Sequence, residues 1–321
     1  MPITEATIRQ AKYFPELLPD ARVVPIGAGS EVSPPLLDLR RFSPKVLRLV
    51  HVTAYPNAYV FVRVRADDLR HEANSASLAP LADSFDFLTT EYLSYTFYNA
   101  STSPISDYTT TFSMWVYEPT VAHKLRYRKM LTPEEKEIAT RLGIDNSVDK
   151  GVLPLPLSYM LEREYYTLAE ETYAYVMNIG GAGNAPLDTD LVIGDVVPRN
   201  ADEFLVLTSI VSSPGTVSNN ITIRIDRDND ANYIEFPAYA LSLPAGLTVD
   251  IGRELKCWVP ALKEIRVKVY ASSAGGNITG YQLRFTVRRC ALTNLLRVRF
   301  GLASRSDVSG DLWDKVKGGV L

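Results

Sequence analysis

The chain has 321 residues, 46% of them hydrophobic and 22% charged, with a formal net charge of −3. That length holds one large or two ordinary domains, and the balance is that of a globular protein, which excludes wholesale disorder. A pI near 5.8 argues against a protein whose main task is to coat nucleic acid, since phosphate binding draws on clustered Lys and Arg.

Cys257 and Cys290 are the only cysteines, too few for a disulfide scaffold or a four-ligand zinc site. Spacing leaves open whether they pair. The opening MPITEATIRQAKYF has no basic-then-apolar leader, and no uncharged apolar run nears a membrane span, so a soluble chain without a signal peptide is expected. Without a leader, the glycosylation patterns at Asn99, Asn220 and Asn277 read as chance. Glutamine occurs only at Gln10 and Gln282, and Met, Cys and His are scarce. That bias predicts a thermophilic source, although Asn is not depleted.

In chain order, Thr4 to Phe14 reads as a short helix capped by Thr4. Pro19 to Pro44, rich in Pro and Gly, reads as an extended arm, and GAGS at Gly27 to Ser30 lacks the strand and helix that a phosphate-binding turn needs. VLRLVHVTAYP from Val46 alternates, turns at Pro56-Asn57 and runs into YVFVRVRADD from Tyr59, which predicts a hairpin. Leu69 to Asp83 reads as a loop or short helix. Strands follow at Leu93 to Asn99, Tyr108 to Glu118 and His123 to Leu131.

TPEEKEIATRLGI from Thr132 carries a Thr cap, Pro133 at the first helical position, Glu135 for a capping box and a closing Gly143, and predicts a complete helix. SYMLEREYYTLAEETYAYVM from Ser158 is read as helical at first and strand-like at TYAYVM. GGAGNAP at Gly180 to Pro186 is a loop, and a second β block starts near Leu191. SGDLWDKVK at Ser309 to Lys317 predicts a short terminal helix with Leu312, Trp313 and Val316 on one side.

The second block restates the first. NITIRIDRDN at Asn220 matches YVFVRVRADD in alternation and in its acidic end, and FLVLTSIVSSP matches VLRLVHVTAYP with Pro214 on Pro56. Leu93, Tyr95, Phe97 and Tyr98 correspond at one constant spacing to Ile265, Val267, Val269 and Tyr270. Tyr108 and Phe112 correspond to Tyr281 and Phe285, and LRYRKML from Leu125 to LRVRFGL from Leu296. The expectation is a mainly all-β fold: two tandem antiparallel β-sandwich or jelly-roll domains from an internal duplication, with a helical connector. The boundaries drawn are 1–44 for the helix and arm, 45–131 for the first sandwich, 132–190 for the connector, 191–303 for the second sandwich and 304–321 for the tail.

No nucleophile elbow, phosphate loop or zinc motif is present, and His51, His71 and His123 lack spaced partners. The chain is therefore read as a non-enzyme with no cofactor, no metal and no catalytic residue. The sharpest local candidate is the acidic turn Asp226, Asp228 and Asp230, whose oxygens suit calcium but whose spacing fails the helix-loop-helix pattern. A solvated hairpin turn is the plainer reading. Lys124, Arg126 and Arg128, and later Arg284, Arg288, Arg289, Arg297 and Arg299, alternate as if on one sheet face, open to an acidic partner or to solvent. Tyrosine-rich stretches could stack on sugars or fill half-buried strands.

Tandem sandwiches, an extended arm and the lack of a catalytic set resemble virion structural proteins whose jelly-roll domains carry arms onto neighbouring subunits. The resemblance is one of architecture and matches no family motif. It implies a capsid or capsid-associated subunit, assembled in the host cytoplasm, that self-associates into a homo-oligomer and contacts other virion proteins, with nucleic acid not the main partner. On it, Pro19 to Pro44 and the helix from Ser309 are expected to lie between subunits. A carbohydrate- or receptor-binding module is the alternative, and a hydrolase with dispersed carboxylates a third reading.

Overall fold

The computed structural model describes residue 13 and residues 16–33, 37–38, 46–54, 58–66, 69–74, 87–89, 92–117, 120–126, 130–144, 166–213, 220–229, 234–238 and 254–319. The expected helix at Thr4 to Phe14 lies outside this set but for Tyr13. Strands β1 (Glu16–Ile26), β2 (Glu31–Val32), β3 (Leu37–Asp38), β4 (Val46–Ala54), β5 (Val60–Ala66), β6 (Leu69–Asn74), β7 (Phe87–Thr89), β8 (Tyr92–Asn99) and β9 (Ile105–Tyr117) make a first sandwich. Strands β10 (Thr167–Ile179), β11 (Asp190–Val196), β12 (Glu203–Ser213), β13 (Ile221–Arg227), β14 (Ile234–Pro237), β15 (Glu254–Ala261), β16 (Ile265–Ala271) and β17 (Ile278–Ala291) make a second.

Both halves have one topology. In the first, β1-β9-β4-β7 face β2-β8-β5-β6, with β3 also on β8; in the second, β10-β17-β12-β15 face β11-β16-β13-β14. Counting β2 and β3 as one strand, each half lays its strands as 1-8-3-6 against 2-7-4-5, two tandem antiparallel jelly rolls. Alternation fills the space between the sheets, with Val60, Val62, Val64, Leu93, Tyr95 and Phe97 on one side of the molecule and Ile221, Ile223, Ile225, Val267 and Val269 on the other.

The registers agree as well. Val64 opposes Tyr95 in the first half, and the matched Ile225 opposes Val267 in the second. The pairing of β4 with β9 slips between Leu49 and His51, and that of β12 with β17 slips at the corresponding Leu207 and Ser209. A second slip falls between Val24 and Ile26 on β1 and between Met177 and Ile179 on β10. Bulges re-aim a strand and increase its twist, so the two halves bend alike.

The two larger sheets are one. Strand β1 pairs β9 on one side and β15 on the other, where Leu17 opposes Trp258, and the result is a continuous eight-stranded sheet. The expected arm is thus corrected: Glu16–Ile26 is an interior strand. Pro19 and Pro25 stand in it, and prolines are ordinarily confined to strand edges and bulges, which is why the segment reads as an arm. The hairpin expected at Pro56-Asn57 is corrected too, because β4 and β5 belong to different sheets. The hairpin is β5 with β6, where a loop or short helix was expected.

Helices follow each jelly roll. Val121–Arg126 (α1) and Pro133–Leu142 (α2) follow the first, and Asn294–Arg299 (α3) and Gly310–Gly318 (α4) the second. Helix α2 has the reciprocal Thr132 and Glu135 cap, Pro133 in its first turn and a left-handed Gly143 at its end, as the sequence predicts. The strand expected at His123 to Leu131 is corrected to α1, and its counterpart to α3. LRYR and LRVR alternate like strands, but a helix lets Val121 and Leu125 share one face, and both lie in a small cluster with Ile138 and Ala139. The helical start expected before TYAYVM is corrected from Thr167 onward to strand β10. Helix α4 packs against α1, α2 and α3, so the terminal helix is held by its own chain. Arg141 Nε donates to Asp314 Oδ2 at 2.6 Å and Arg141 Nη2 to Oδ1 at 2.9 Å.

One glycine is fixed by packing. A Cβ at Gly194 would run into the ring of Phe285, which stacks on Tyr173 at 5.1 Å and Tyr175 at 6.1 Å. Gly194→Ala should destabilise the fold by about 1–3 kcal/mol through overpacking. Combined with Phe285→Leu, which opens the space, the loss in urea denaturation should fall clearly short of the sum of the single variants. Strict additivity would contradict this contact.

Candidate functional site

The acidic end of β13 is the sharpest candidate from the sequence, and it is occupied by the protein itself. Asp228 and Asn229 both take left-handed backbone angles, φ 54° and 58°, which Asp and Asn tolerate in tight turns. The turn delivers Asp228 Oδ2 to the Tyr13 hydroxyl at 2.8 Å and Oδ1 to the Lys263 amide at 2.6 Å. Burial, and then the Asp228 charge, hold the Tyr13 phenol protonated far above its ordinary range. Asp226 Oδ2 accepts from Lys268 Nζ at 3.1 Å. Asp230 lies outside the described residues, and among those described no three His, Cys, Asp or Glu gather as metal ligands.

Beside this turn is a pair that sequence reading missed. Arg227 Nη1 lies 2.9 Å from Glu16 Oε2 as an ion pair, with side chains 4% and 0% exposed, and donates a hydrogen bond to the Pro260 carbonyl at 3.3 Å. Glu16 opens β1 of the first jelly roll and Arg227 closes β13 of the second. The pair therefore spans the seam where β15 joins β1. Across the same seam a second apolar cluster gathers Leu17, Phe204, Val206, Trp258, Cys290, Leu296 and Phe300. No local pattern announces a contact between residues so distant in the chain.

The basic strands are neutralised from within. Arg288 Nε donates to Glu170 at 2.6 Å. Arg289 donates through Nε to Glu171 at 2.8 Å and through Nη1 to Glu203 at 2.7 Å, the latter buried. Arg297, on helix α3 rather than a strand, reaches Asp202 at 2.9 Å, and Lys124 on α1 reaches Glu135 at 2.6 Å. The side chains of Arg126 and Arg128 lie outside the described set, and Arg284 is exposed. The single basic sheet face is thereby corrected: neighbouring strands and helices answer Lys124, Arg288, Arg289 and Arg297 with carboxylates. The Arg289 hydrogen bond, followed by that of the Tyr173 hydroxyl, pulls the Glu171 carboxyl down to about 2.

One constellation occurs twice. On the outer face of the first small sheet, Arg63 on β5 lies 4.7 Å above the Tyr98 ring and pairs with Glu31 on β2 and Glu72 on β6. On the second, Arg224 on β13 lies 4.6 Å above Tyr270 and pairs with Asp190 on β11 at 2.5 Å and Glu235 on β14 at 3.2 Å. Each arginine ties all four strands of its sheet through one ring and two carboxylates. The signal was in the sequence, since Arg63 matches Arg224 and Tyr98 matches Tyr270 in the aligned repeats. Chemically the arrangement is a cross-tie, because carboxylates take the guanidinium edges and the guanidinium covers the ring.

The remaining candidates are placed as follows. Backbones of His51, His71 and His123 fall in β4, β6 and α1, and their side chains lie outside the described set. Cys257 and Cys290 are buried thiols with no disulfide between them, and burial pushes the Cys290 thiol up to about 11. Asn99 is fully buried and donates to Gly27 and Ser103 carbonyls at 3.2 and 2.9 Å. It closes a turn and offers nothing to a glycosylating enzyme. GAGS forms the turn between β1 and β2, where the Gly29 amide donates to Ser101.

No family model matches the chain, and no curated protein does. Among solved structures, a chain from the atomic structure of Sulfolobus Turreted Icosahedral Virus aligns at 8% identity and a TM-score of 0.25, covering 85% of this chain and 60% of that one. The PBSX exported protein XepA aligns at 12% identity and 0.19, covering 90% and 89%. Vicilin from Solanum lycopersicum aligns at 6% identity and 0.22, covering 86% and 75%.

Two measurements probe the site. Arg227→Met should cost about 3–5 kcal/mol by removing the only cation shown against the buried Glu16 carboxylate among the described residues, and adding Glu16→Leu should recover most of the loss. Chemical denaturation of the single and double variants reads this, and a loss that persists in the double variant would show that packing, not charge, sets the cost. Glu171 is ionised more readily in the fold than in the unfolded chain. Its contribution is complete above its ordinary value of 4.5 and is lost as pH falls toward 2. Glu171→Gln should therefore flatten the acid limb of the stability profile in that window and leave its slope near neutral pH unchanged.

Proposed function

We propose that this chain is a non-enzymatic structural subunit of a virion, a capsid or capsid-associated protein that self-assembles in the host cytoplasm through the faces and edges of its β domains. The observation that carries the reading is the union of two jelly rolls of identical strand order in one eight-stranded sheet through β15 and β1. A chain built so already makes, inside itself, the lateral contact that single-domain subunits would make with one another. Rigid sandwiches with paired surface charges suit repetitive packing, in which contact area must offset the entropy of association.

We also read the two halves as products of an internal duplication. Shared strand order, shared bulge positions and the repeated Arg63 and Arg224 cross-ties support it. Ion pairs across both small sheets accord with a source that works hot. The glycan-binding alternative loses its best-placed platforms, since Arg63 and Arg224 cover Tyr98 and Tyr270.

Light scattering and electron microscopy of the purified protein test the assembly reading. Closed or filamentous particles, or a discrete oligomer that grows with concentration, are the expected result. A monomer at all concentrations that binds glycans would overturn it.

A further inference from the structure

The large sheet ends at β10 on one side and at β7 on the other. Position for position, β10 is to the second jelly roll what β1 is to the first, and β7 is to the first what β15 is to the second. Strands β1 and β15 are already joined. The molecule therefore carries at its two ends the two halves of a joint that it makes once internally. We propose that β10 is the docking edge for a second copy of this chain, which presents its own β7 edge there and extends the sheet from one molecule to the next. This inference rests on the assembly reading and names its surface.

The character of β10 supports it. At thirteen residues it is among the longest strands of the sheet, and its described ladder pairs only with β17. Leu168 and Val176 point outward at 51% and 73% exposure, and Tyr166 just before the strand is 70% exposed. No Pro or Lys guards it. A long edge strand with exposed apolar side chains of this kind is a template for another strand. A head-to-tail joint between β10 and β7 is heterologous, so successive copies close a ring or run on as a filament according to the rotation per step.

The two joints differ at their centres. Leu17 and Trp258 meet in the internal joint. The register of β10 gives Leu17 the counterpart Glu170. Arg288 already holds Glu170 at 2.6 Å. An apolar centre thus binds the halves permanently, and a charged one makes the contact between copies weaker and reversible.

Cysteine cross-linking of the full chain tests this. Thr172→Cys, Ala174→Cys and Val176→Cys sample β10, each alone and combined with Leu88→Cys on β7, while the two native cysteines stay buried. Mild oxidation should give covalent ladders from at least one combined variant, and dimers when the matching single variants are mixed. Leu168→Lys with Val176→Lys, both at exposed positions, should raise the concentration midpoint of assembly by roughly tenfold or more. Assembly that persists without any β10 to β7 cross-link, or a β10 to β10 cross-link instead, overturns this inference and leaves the assembly reading standing. A foreign strand or peptide found on β10 in place of a second copy overturns it equally. Absence of any oligomer removes the assembly reading itself.

Discussion

The ion pair of Glu16 and Arg227 is the interaction on which the architecture turns. Two charges shut away from water are costly unless each is answered at close range, and here the answer comes from the other jelly roll. Each also has a partner nearer at hand, Arg227 the Pro260 carbonyl and Glu16 the Tyr13 amide. Leu17 against Trp258 closes the same seam with apolar area, and the Asp228 turn adds Tyr13 and the backbone of Lys263. The acidic end of the repeated stretch, which invites a cation on paper, serves as the clasp of this seam.

Away from the seam the halves work alike. Each small sheet is tied by an arginine lying on a tyrosine and forked between two carboxylates, at matched positions on matched strands. Each half of the large sheet is bent by bulges at matched steps. The divergence is concentrated where the halves meet. Glu170 stands where Leu17 stands, so a charge that Arg288 answers occupies one edge and an apolar contact the other. The two halves thus differ at their edges and agree in the interiors of their sheets.

Much of the fold was legible because its cause is local. Alternation in YVFVRVR and NITIRIDR placed two strands and aligned them, and a Thr, Pro, Glu and Gly at fixed offsets placed α2. What local pattern cannot carry was misread. Whether a turn such as Pro56-Asn57 returns within a sheet or crosses the sandwich depends on partners far away. Prolines 19 and 25 disguised β1, and LAEE gave β10 the look of a helix because sheet pairing with β17 outweighs propensity. LRYR and LRVR are too short for the strand and helix periods to be told apart. Of the candidate site, the cross-ties were readable from the aligned repeats, but Glu16 and Arg227 meet only because the domains do.

The seam also orders events in time. Tyr13 and Asp228, which meet there, are 215 residues apart, and β1 cannot acquire β15 until most of the chain has been synthesised. Domains fold as they emerge, so the first jelly roll stands for an interval before β15 reaches β1 and Arg227 reaches Glu16. Contacts of such separation form late and slowly. The nascent chain is therefore most prone to wrong pairing, with a neighbouring nascent copy above all, in the interval between the emergence of β9 and that of β15.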